Sequence, residues 1–333
     1  MGDLFDGLPR DVADRLRREA VPTWRSPMLA TLTDERFSDP KWIFERKFDG
    51  IRLLAFRDGD TVRLRSRNQL ALEHTYPEIV DALGAQKCSR FVLDGEVVAF
   101  EGRRTSFARL QGRSGIHDER TARASQIAVY YYVFDVLHLD GQDTTALPLT
   151  WRKRLLRREL TFHDPLRFTT HRVAVGEQAY EQACKRGDEG VIAKRANAPY
   201  TAGRSPNWLK FKCVRDQEFV VGGYTAPKGS RTAFGALLVG YYDGADLRYA
   251  GKVGTGFTDK VLRQLRGQFD ALARDETPFT KGRPNEHDAH WVMPELVVQI
   301  GFTEWTRDGK LRHPRYQGLR EDKEAKDVVR ETR

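Results

Sequence analysis

Glu45-Arg46-Lys47-Phe48-Asp49-Gly50-Ile51-Arg52 is the stretch from which the fold is read. A lysine two positions before an Asp-Gly pair, taken alone, is a surface strand running into a turn. From average composition a Lys-x-Asp-Gly match arises by chance on the order of once in fifteen chains of this size. Its meaning therefore depends on its surroundings. Residues 42–56 read as one strand-like run and 61–67 as another, with Asp58-Gly59-Asp60 as a hairpin turn between them. Upstream, 8–19 reads as a short amphipathic helix on Leu8, Val12 and Leu16, followed by an irregular, proline-punctuated stretch over 22–40.

Downstream, 76–83 reads as helix, 90–100 as strand and 129–137 as a dense apolar strand closed by Asp140-Gly141. A basic helix follows over 148–160, then a helix over 177–186 stopped by Gly187, and short strands over 191–194 and 208–212. Sheets and helices mix without βαβ alternation, which excludes a Rossmann-type domain. After Asp216 the texture changes to short strands with glycine-rich turns at 219–224, 236–242, 247–253 and 296–305, with one helix at 258–273. That is the pattern of an OB-type β-barrel. Gly251, Gly254 and Gly256 do not make a dinucleotide loop, because they lack the third spaced glycine and a βαβ context. The expected organisation is an N-terminal helical extension over 1–25, an α+β domain of antiparallel sheets flanked by helices over 26–215, and an OB-fold domain over 216–333.

A chain of 333 residues suits two domains, each with its own core. Mean hydropathy of −0.60 and 31% charged residues exclude a membrane protein. The N-terminus has no signal-peptide core, so a cytoplasmic location is expected. The net charge of +9 is unevenly placed: residues 1–150 carry 22 Lys and Arg against 23 Asp and Glu, 151–215 carry 15 against 6, and 216–333 carry 19 against 18. One 65-residue segment thus holds the excess, which favours a polyanionic partner, nucleic acid first. Cys88, Cys184 and Cys213 have no paired spacing and are expected to be reduced thiols.

Four charged signals follow the first motif in order, each expected at a strand edge. They are Asp94-Gly95-Glu96, Phe134-Asp135, Asp188-Glu189-Gly190, and Lys210-Phe211-Lys212, where alternation aims both ammonium groups to one face. Lysines and carboxylates facing one cleft are costly to desolvate unless a charged ligand and a metal satisfy them. The set predicts a phosphate and a divalent cation.

This ordered set resembles the covalent nucleotidyltransferases, most closely the ATP-dependent DNA ligases. Ser66-Arg67-Asn68 resembles the element after the nucleophile motif, and the segment from Leu311 to Tyr316 with Arg320-Glu321-Asp322-Lys323 resembles the C-terminal element. The stretches 27–30, 234–240 and 251–257 are most similar to the ligase module of bacterial non-homologous end-joining ligase D. The resemblance implies a nucleotidyltransferase domain followed by the OB-fold, and sealing of 5′-phosphate/3′-hydroxyl breaks in DNA repair, recombination or end joining. It implies Lys47 as the nucleophile attacking ATP to form lysyl-AMP, activated by the cations Arg52, Lys210, Lys212 and a metal, Mg²⁺ or Mn²⁺. It further implies Glu45 at the adenine amino group, Phe134 stacked on the base with Val191 on its opposite face, and Phe48 in the nucleotide pocket. Arg52 and Glu96 are implied at the ribose, Lys210 and Lys212 at the α-phosphate, and Glu189 with Glu96 at the metal. Arg67 is implied to grip a phosphate, Arg320, Asp322 and Lys323 to orient pyrophosphate across a hinge near Asp216, and Arg315 to bind the nucleotide. Asp49 and Asp94 are open between catalysis and turn formation. The implied partners are nicked or broken duplex DNA and a Ku-like end-binding protein; the chain is expected to be a monomer, off the membrane, in the bacterial nucleoid. The alternatives are an RNA ligase, a capping-type guanylyltransferase, or a non-catalytic OB-type nucleic-acid binder.

Overall fold

The run over 42–56 is two strands, not one, and they enter different sheets. In the computed structural model, which describes residues 4–213, 216–227 and 233–331, the strand Trp42–Lys47 ends at the lysine and Ile51–Asp58 begins four residues later. The reason is the close pass at Gly50, where a Cβ would lie 2.2 Å from the Val97 carbonyl oxygen. Only glycine lets the chain turn there against the neighbouring strand.

Two compact units are formed, Met1–Cys213 and Val214–Thr332. In the first, Trp42–Lys47 belongs to a five-stranded sheet in the order His171–Val173, Trp42–Lys47, Gly190–Arg195, Gly203–Lys212, Met28–Leu32. Ile51–Asp58 belongs to an eight-stranded sheet, between Thr61–Ser66 and the long strand Arg90–Glu101, which pairs in turn with Val129–Leu139. Strand alternation sorts the side chains. Leu53, Ala55, Phe91, Leu93, Val97, Tyr131 and Val133 fill a core against the helices Pro77–Gly84 and Leu149–Glu159. Trp42, Phe44, Val191, Ala193 and Phe211 pack beneath the helix Gly176–Arg186 through Ala179 and Ala183. Met28, Leu54, Phe56, Val92, Phe134, Leu137, Tyr200 and Trp208 form a third cluster that bridges the facing sides of the two sheets.

Several expectations are corrected. The 8–19 helix shrinks to Arg10–Ala13, because a short isolated helix is marginal and Arg17–Arg18 instead pairs with Gln142–Asp143. Asp94-Gly95-Glu96 and Phe134-Asp135 do not lie at strand edges but inside strands of 12 and 11 residues. Gly95 reads as a turn residue in sequence, yet it serves a close approach: its Cβ would lie 2.4 Å from the Tyr131 ring, beside a register shift. The helices Phe107–Ser114 and Glu119–Ala124 were not anticipated; Ser106 Oγ and Asp118 Oδ1 cap them, accepting from the Arg109 and Thr121 N–H groups at 3.2 and 2.7 Å.

Cys184 and Cys213 are not reduced thiols but a disulfide, with a Cα separation of 5.2 Å. Helix Gly176–Arg186 lies over the strand Gly203–Lys212 and brings together residues 29 apart in sequence. The cationic excess of 151–215 is also partly internal, since Arg152, Lys153 and Lys194 are 0–2% exposed. Among the described residues no helix is long and apolar enough to cross a membrane.

In the second unit the strand Asp216–Thr225 pairs with Leu237–Asp243 on one side and with Val297–Gly301, then Ala289–Val292, on the other. A register shift between Val221 and Gly223 accompanies the change of partner and coils the sheet. Asp246–Val253 and Arg315–Leu319 extend it, and the helix Asp259–Ala271, capped by Thr258, packs Leu262, Leu265 and Phe269 into its core. The strands Ala289–Val292 and Arg315–Leu319 were not anticipated, and the run over 296–305 divides into Val297–Gly301 and Glu304–Trp305. The expected boundary touches Val214 and Arg215, which lie outside the described residues.

Candidate active site

Two rows of side chains cross the five-stranded sheet on one face. Gly190, on the central strand, stands opposite Lys47 on one neighbour and opposite Lys212 on the other; Ile192 stands opposite Glu45 and Lys210. Directly opposed residues in antiparallel strands point to the same side. Lys47 and Lys212 are thus two strand spacings apart, about 10 Å at Cα. Gly190 is obligatory at φ +149, and a Cβ there would lie 2.0 Å from the Phe211 carbonyl oxygen. The side chains of Lys47 and Glu189 are 17% and 11% exposed, and Lys47 Nζ donates to Glu189 Oε1. A carboxylate is therefore a direct partner of Lys47.

Alternation decides a second point. Val191 lies on the other face, buried with Trp42, Phe44, Ala179 and Phe211, and cannot reach a base bound beside Lys47. The residue presented to that side is Ile192, half-buried, one position further along.

Glu45 is 3% exposed and clasped by two lysines. Lys153 Nζ donates to Glu45 Oε1 at 2.5 Å and Lys194 Nζ lies 2.7 Å from Oε2. Lys153 also donates to the carbonyl oxygens of Thr169 and Phe134, at 3.0 and 3.3 Å. Burial alone would raise the Glu45 pKa, but Lys153 and Lys194 outweigh it and hold the carboxyl below its ordinary value. Lys194 is brought down to about 8, chiefly by burial, with Glu45 opposing and Lys153 adding to the shift. Its Nζ lies 4.0 Å from the ring centres of both Phe134 and Trp208. Lys153 is not among the residues that the sequence singles out.

On the facing sheet, Arg52 is opposite Glu96 and is gripped by Asp94: Nε and Nη2 donate to Oδ1 and Oδ2, each at 2.5 Å. Tyr200 Oη donates to Asp94 Oδ2 at 2.7 Å, and the guanidinium lies 4.7 Å from the Phe134 ring centre. Asp94 is fully buried and mid-strand, so it is a holder of Arg52 and not a turn former. Burial works against the Arg52 charge, yet Asp94 raises its pKa above the ordinary arginine value. Asp135 is taken by Arg152, at 2.7 and 2.8 Å, both fully buried.

Asp49 Oδ2 accepts from the Phe107 N–H at 3.3 Å, tying the loop after Lys47 to the start of the helix Phe107–Ser114. Phe48 packs on Tyr132, ring centres 4.3 Å apart. Arg67 directly follows the strand Thr61–Ser66 and is half-buried. Arg315, Arg320 and Lys323 belong to the second unit, where Arg320 donates twice to Asp322 at 2.9 Å and Lys323 lies 3.3 Å from Glu218. Among the described residues no three His, Cys, Asp or Glu side chains cluster to cage a metal. Glu189 and Glu96 are hard oxygen donors, which suits a cation that takes its remaining ligands from phosphates and water.

The model of the ATP dependent DNA ligase domain matches residues 27–212, and that of the ATP dependent DNA ligase C terminal region matches 230–323. The multifunctional non-homologous end joining protein LigD of Pseudomonas aeruginosa is 36% identical over 319 residues, covering 93% of this chain and 37% of that protein. A probable DNA ligase of Dictyoglomus thermophilum is 32% identical over 323 residues, covering 87% of this chain and 55% of that protein. Among solved structures, mycobacterial DNA ligase D complexed with ATP and MES has a TM-score of 0.65 at 33% identity, covering 92% of this chain and 98% of that one. The chain spans about two fifths of the length of the LigD relatives, 37% and 40% for those of Pseudomonas aeruginosa and Mycobacterium bovis.

Proposed function

The chain belongs to the ATP-dependent DNA ligases, an adenylation domain followed by an OB-fold domain, and from that premise we propose that it seals 5′-phosphate/3′-hydroxyl breaks in DNA through a covalent adenylate on Lys47. The observation that carries the reading is the row Lys47, Gly190, Lys212, with Glu189 against the first lysine. An amine at its ordinary pKa of about 10.4 is almost wholly protonated near neutrality, so a proton must leave before Lys47 can attack. Glu189 Oε1 is the acceptor within reach.

Lys47 Nζ then attacks the α-phosphorus of ATP: a P–N bond forms and the P–O bond to pyrophosphate breaks. Lys210 and Lys212, on the same face, offset charge building on the phosphoryl oxygens. Glu189, with Glu96 assisting, would hold Mg²⁺ or Mn²⁺, whose positive charge polarises the phosphate.

Ile192 and Phe134 line the base, and Phe48 supports the pocket through Tyr132. With Arg52 Nε and Nη2 occupied by Asp94, Nη1 is the group that reaches the ribose, beside Glu96. Glu45 serves the base site indirectly, by fixing Lys194 against the Phe134 ring. Asp49 is a positioning residue for the Lys47 loop. Arg67, Arg315, Arg320 and Lys323 bind phosphates in the adenylation and sealing steps. The likeness to the non-homologous end joining proteins LigD supports work on DNA ends, and the proposal extends to action as a monomer in the bacterial nucleoid with a Ku-like end-binding protein as partner.

Intact mass after ATP and then pyrophosphate tests the proposal. The expected result is one AMP adduct, reversed by pyrophosphate and absent in Lys47→Ala. An adduct retained in that variant would falsify the assignment of the nucleophile, and no adduct on the unaltered chain would leave an OB-type binder as the better description.

A further inference from the structure

Beyond the nucleotide pocket, on the same face of the eight-stranded sheet, the strand Val129–Leu139 carries Tyr132, opposite Glu96, and Tyr130, opposite Val98. Together with Phe100, Gly102, Arg103 and Arg167 these tyrosines line an open cleft of about 360 Å³. Apart from Tyr132, which backs Phe48, none of these residues takes part in the adenylation chemistry described above. The cleft adjoins that site through Phe48, packed on Tyr132.

Its central feature is the Arg167 guanidinium, which is held in a fixed plane. Nε and Nη2 donate to Asp164 at 2.6 and 2.9 Å, Nη1 donates to Tyr132 Oη at 2.9 Å, and the group stacks 3.9 Å from the Tyr130 ring centre. Three donors are thus engaged and one face is covered by the ring, while the side chain stays 33% exposed. An arginine needed only for charge balance has no reason to be locked as a flat platform. A guanidinium backed by an aromatic ring is a stacking surface for a nucleobase. Phe100, 5.6 Å from Tyr130 with its ring inclined at 71°, forms the wall. Arg103 is exposed at the turn between Arg90–Glu101 and Arg104–Thr105, and makes no ion pair among the described residues. It supplies positive charge at the rim.

The volume is at the small end of ligand clefts and suits one nucleotide unit. A stacked base inside a duplex cannot offer its face to a platform, whereas an unpaired base can. We propose that the Arg167–Tyr130 platform, with Arg103 at its rim, binds an unpaired nucleotide at a DNA end, next to the site of strand sealing. The inference rests on the DNA-ligase reading, and it makes the chain selective for ends with an overhang or flap over a fully paired nick.

The test is equilibrium binding, without ATP, of the full chain to two labelled duplexes: one nicked and fully paired, one with a three-nucleotide single-stranded overhang. Arg167→Ala and, separately, the surface change Arg103→Glu are compared with the unaltered chain. The expected result is affinity for the overhang DNA weakened by about tenfold, the size of one lost base stack, with nick affinity within about twofold. Equal loss on both duplexes, or no loss on either, overturns the proposal. Adenylation of each variant by ATP is followed in parallel and is expected to be unchanged, which shows that the first unit is folded. If the unaltered chain forms no adenylate yet the selective loss is seen, the ligase reading fails and the platform stands.

Discussion

Lys153 Nζ and Glu45 Oε1 are 2.5 Å apart, and each side chain is 2% exposed. Lys194 sits on the other carboxylate oxygen, so one anion holds two buried cations beneath the proposed base site. Removing the anion leaves two like charges that water cannot reach. Glu45→Gln is expected to lower stability by about 3 kcal/mol, and the double change Glu45→Gln/Lys153→Met to restore part of that loss, since one buried cation then stands in place of two. Urea unfolding of the three proteins checks this. Equal stability of the single variant and the parent would show that the pair is solvated in solution.

The buried Lys194 gives the cluster a pH signature. Its proton leaves the native state near pH 8 and the unfolded chain near the ordinary lysine value of 10.5. Between the two the unfolded state binds more protons, so this group's contribution to stability rises with pH and is least favourable below about 8. Relative to Lys194→Met, the parent is expected to gain stability as pH goes from 7 to 10. A constant difference across that range in denaturant titrations would contradict the assignment.

Val191 and Ile192 are separated by the thickness of a sheet. Ile192→Ala is expected to raise the KM for ATP in self-adenylation by about tenfold, by loss of apolar contact with the base, with little change in unfolding. Val191→Ala is expected to do the reverse: about 1 kcal/mol less stable, with KM nearly unchanged. Steady-state adenylation and denaturation of both variants decide between the faces, and exchanged effects would mean that the register is shifted by one.

The Cys184–Cys213 bridge closes a loop of 29 residues. Loop closure of that size is worth about 3.6 kcal/mol by chain entropy, so reduction, or Cys184→Ser with Cys213→Ser, is expected to cost that much. Thiol titration of the denatured, unreduced chain should return only Cys88, and all three cysteines after reduction. Three thiols without reductant would rule the bridge out.

Much of the site is legible along the chain because the chemistry is carried by strands, whose period of two puts Glu45 with Lys47, and Lys210 with Lys212, on a common side of each strand without any knowledge of pairing. What is not legible follows from contacts between distant segments. The helix over 149–159 reads as basic and solvated, yet Leu149, Arg152, Lys153 and Leu156 repeat at the i, i+3, i+4, i+7 spacing of a buried stripe. That periodicity was the available sign that two cations point inward. Ser106 and Asp118 were likewise visible as helix caps. Val191 was misplaced because a motif names a neighbourhood, and only the strand register says which of two adjacent residues looks into it. Cys184 and Cys213 carry no sequence signal at all, since a helix lying across a sheet sets their distance.

The three residues Phe48, Asp49 and Gly50 are all that separate the last position of one sheet from the first of the other. Fully stretched, the link from Lys47 to Ile51 spans about 14 Å. A tether so short keeps the amine of Lys47 beside the edge of the facing sheet, however the rest of the two sheets moves.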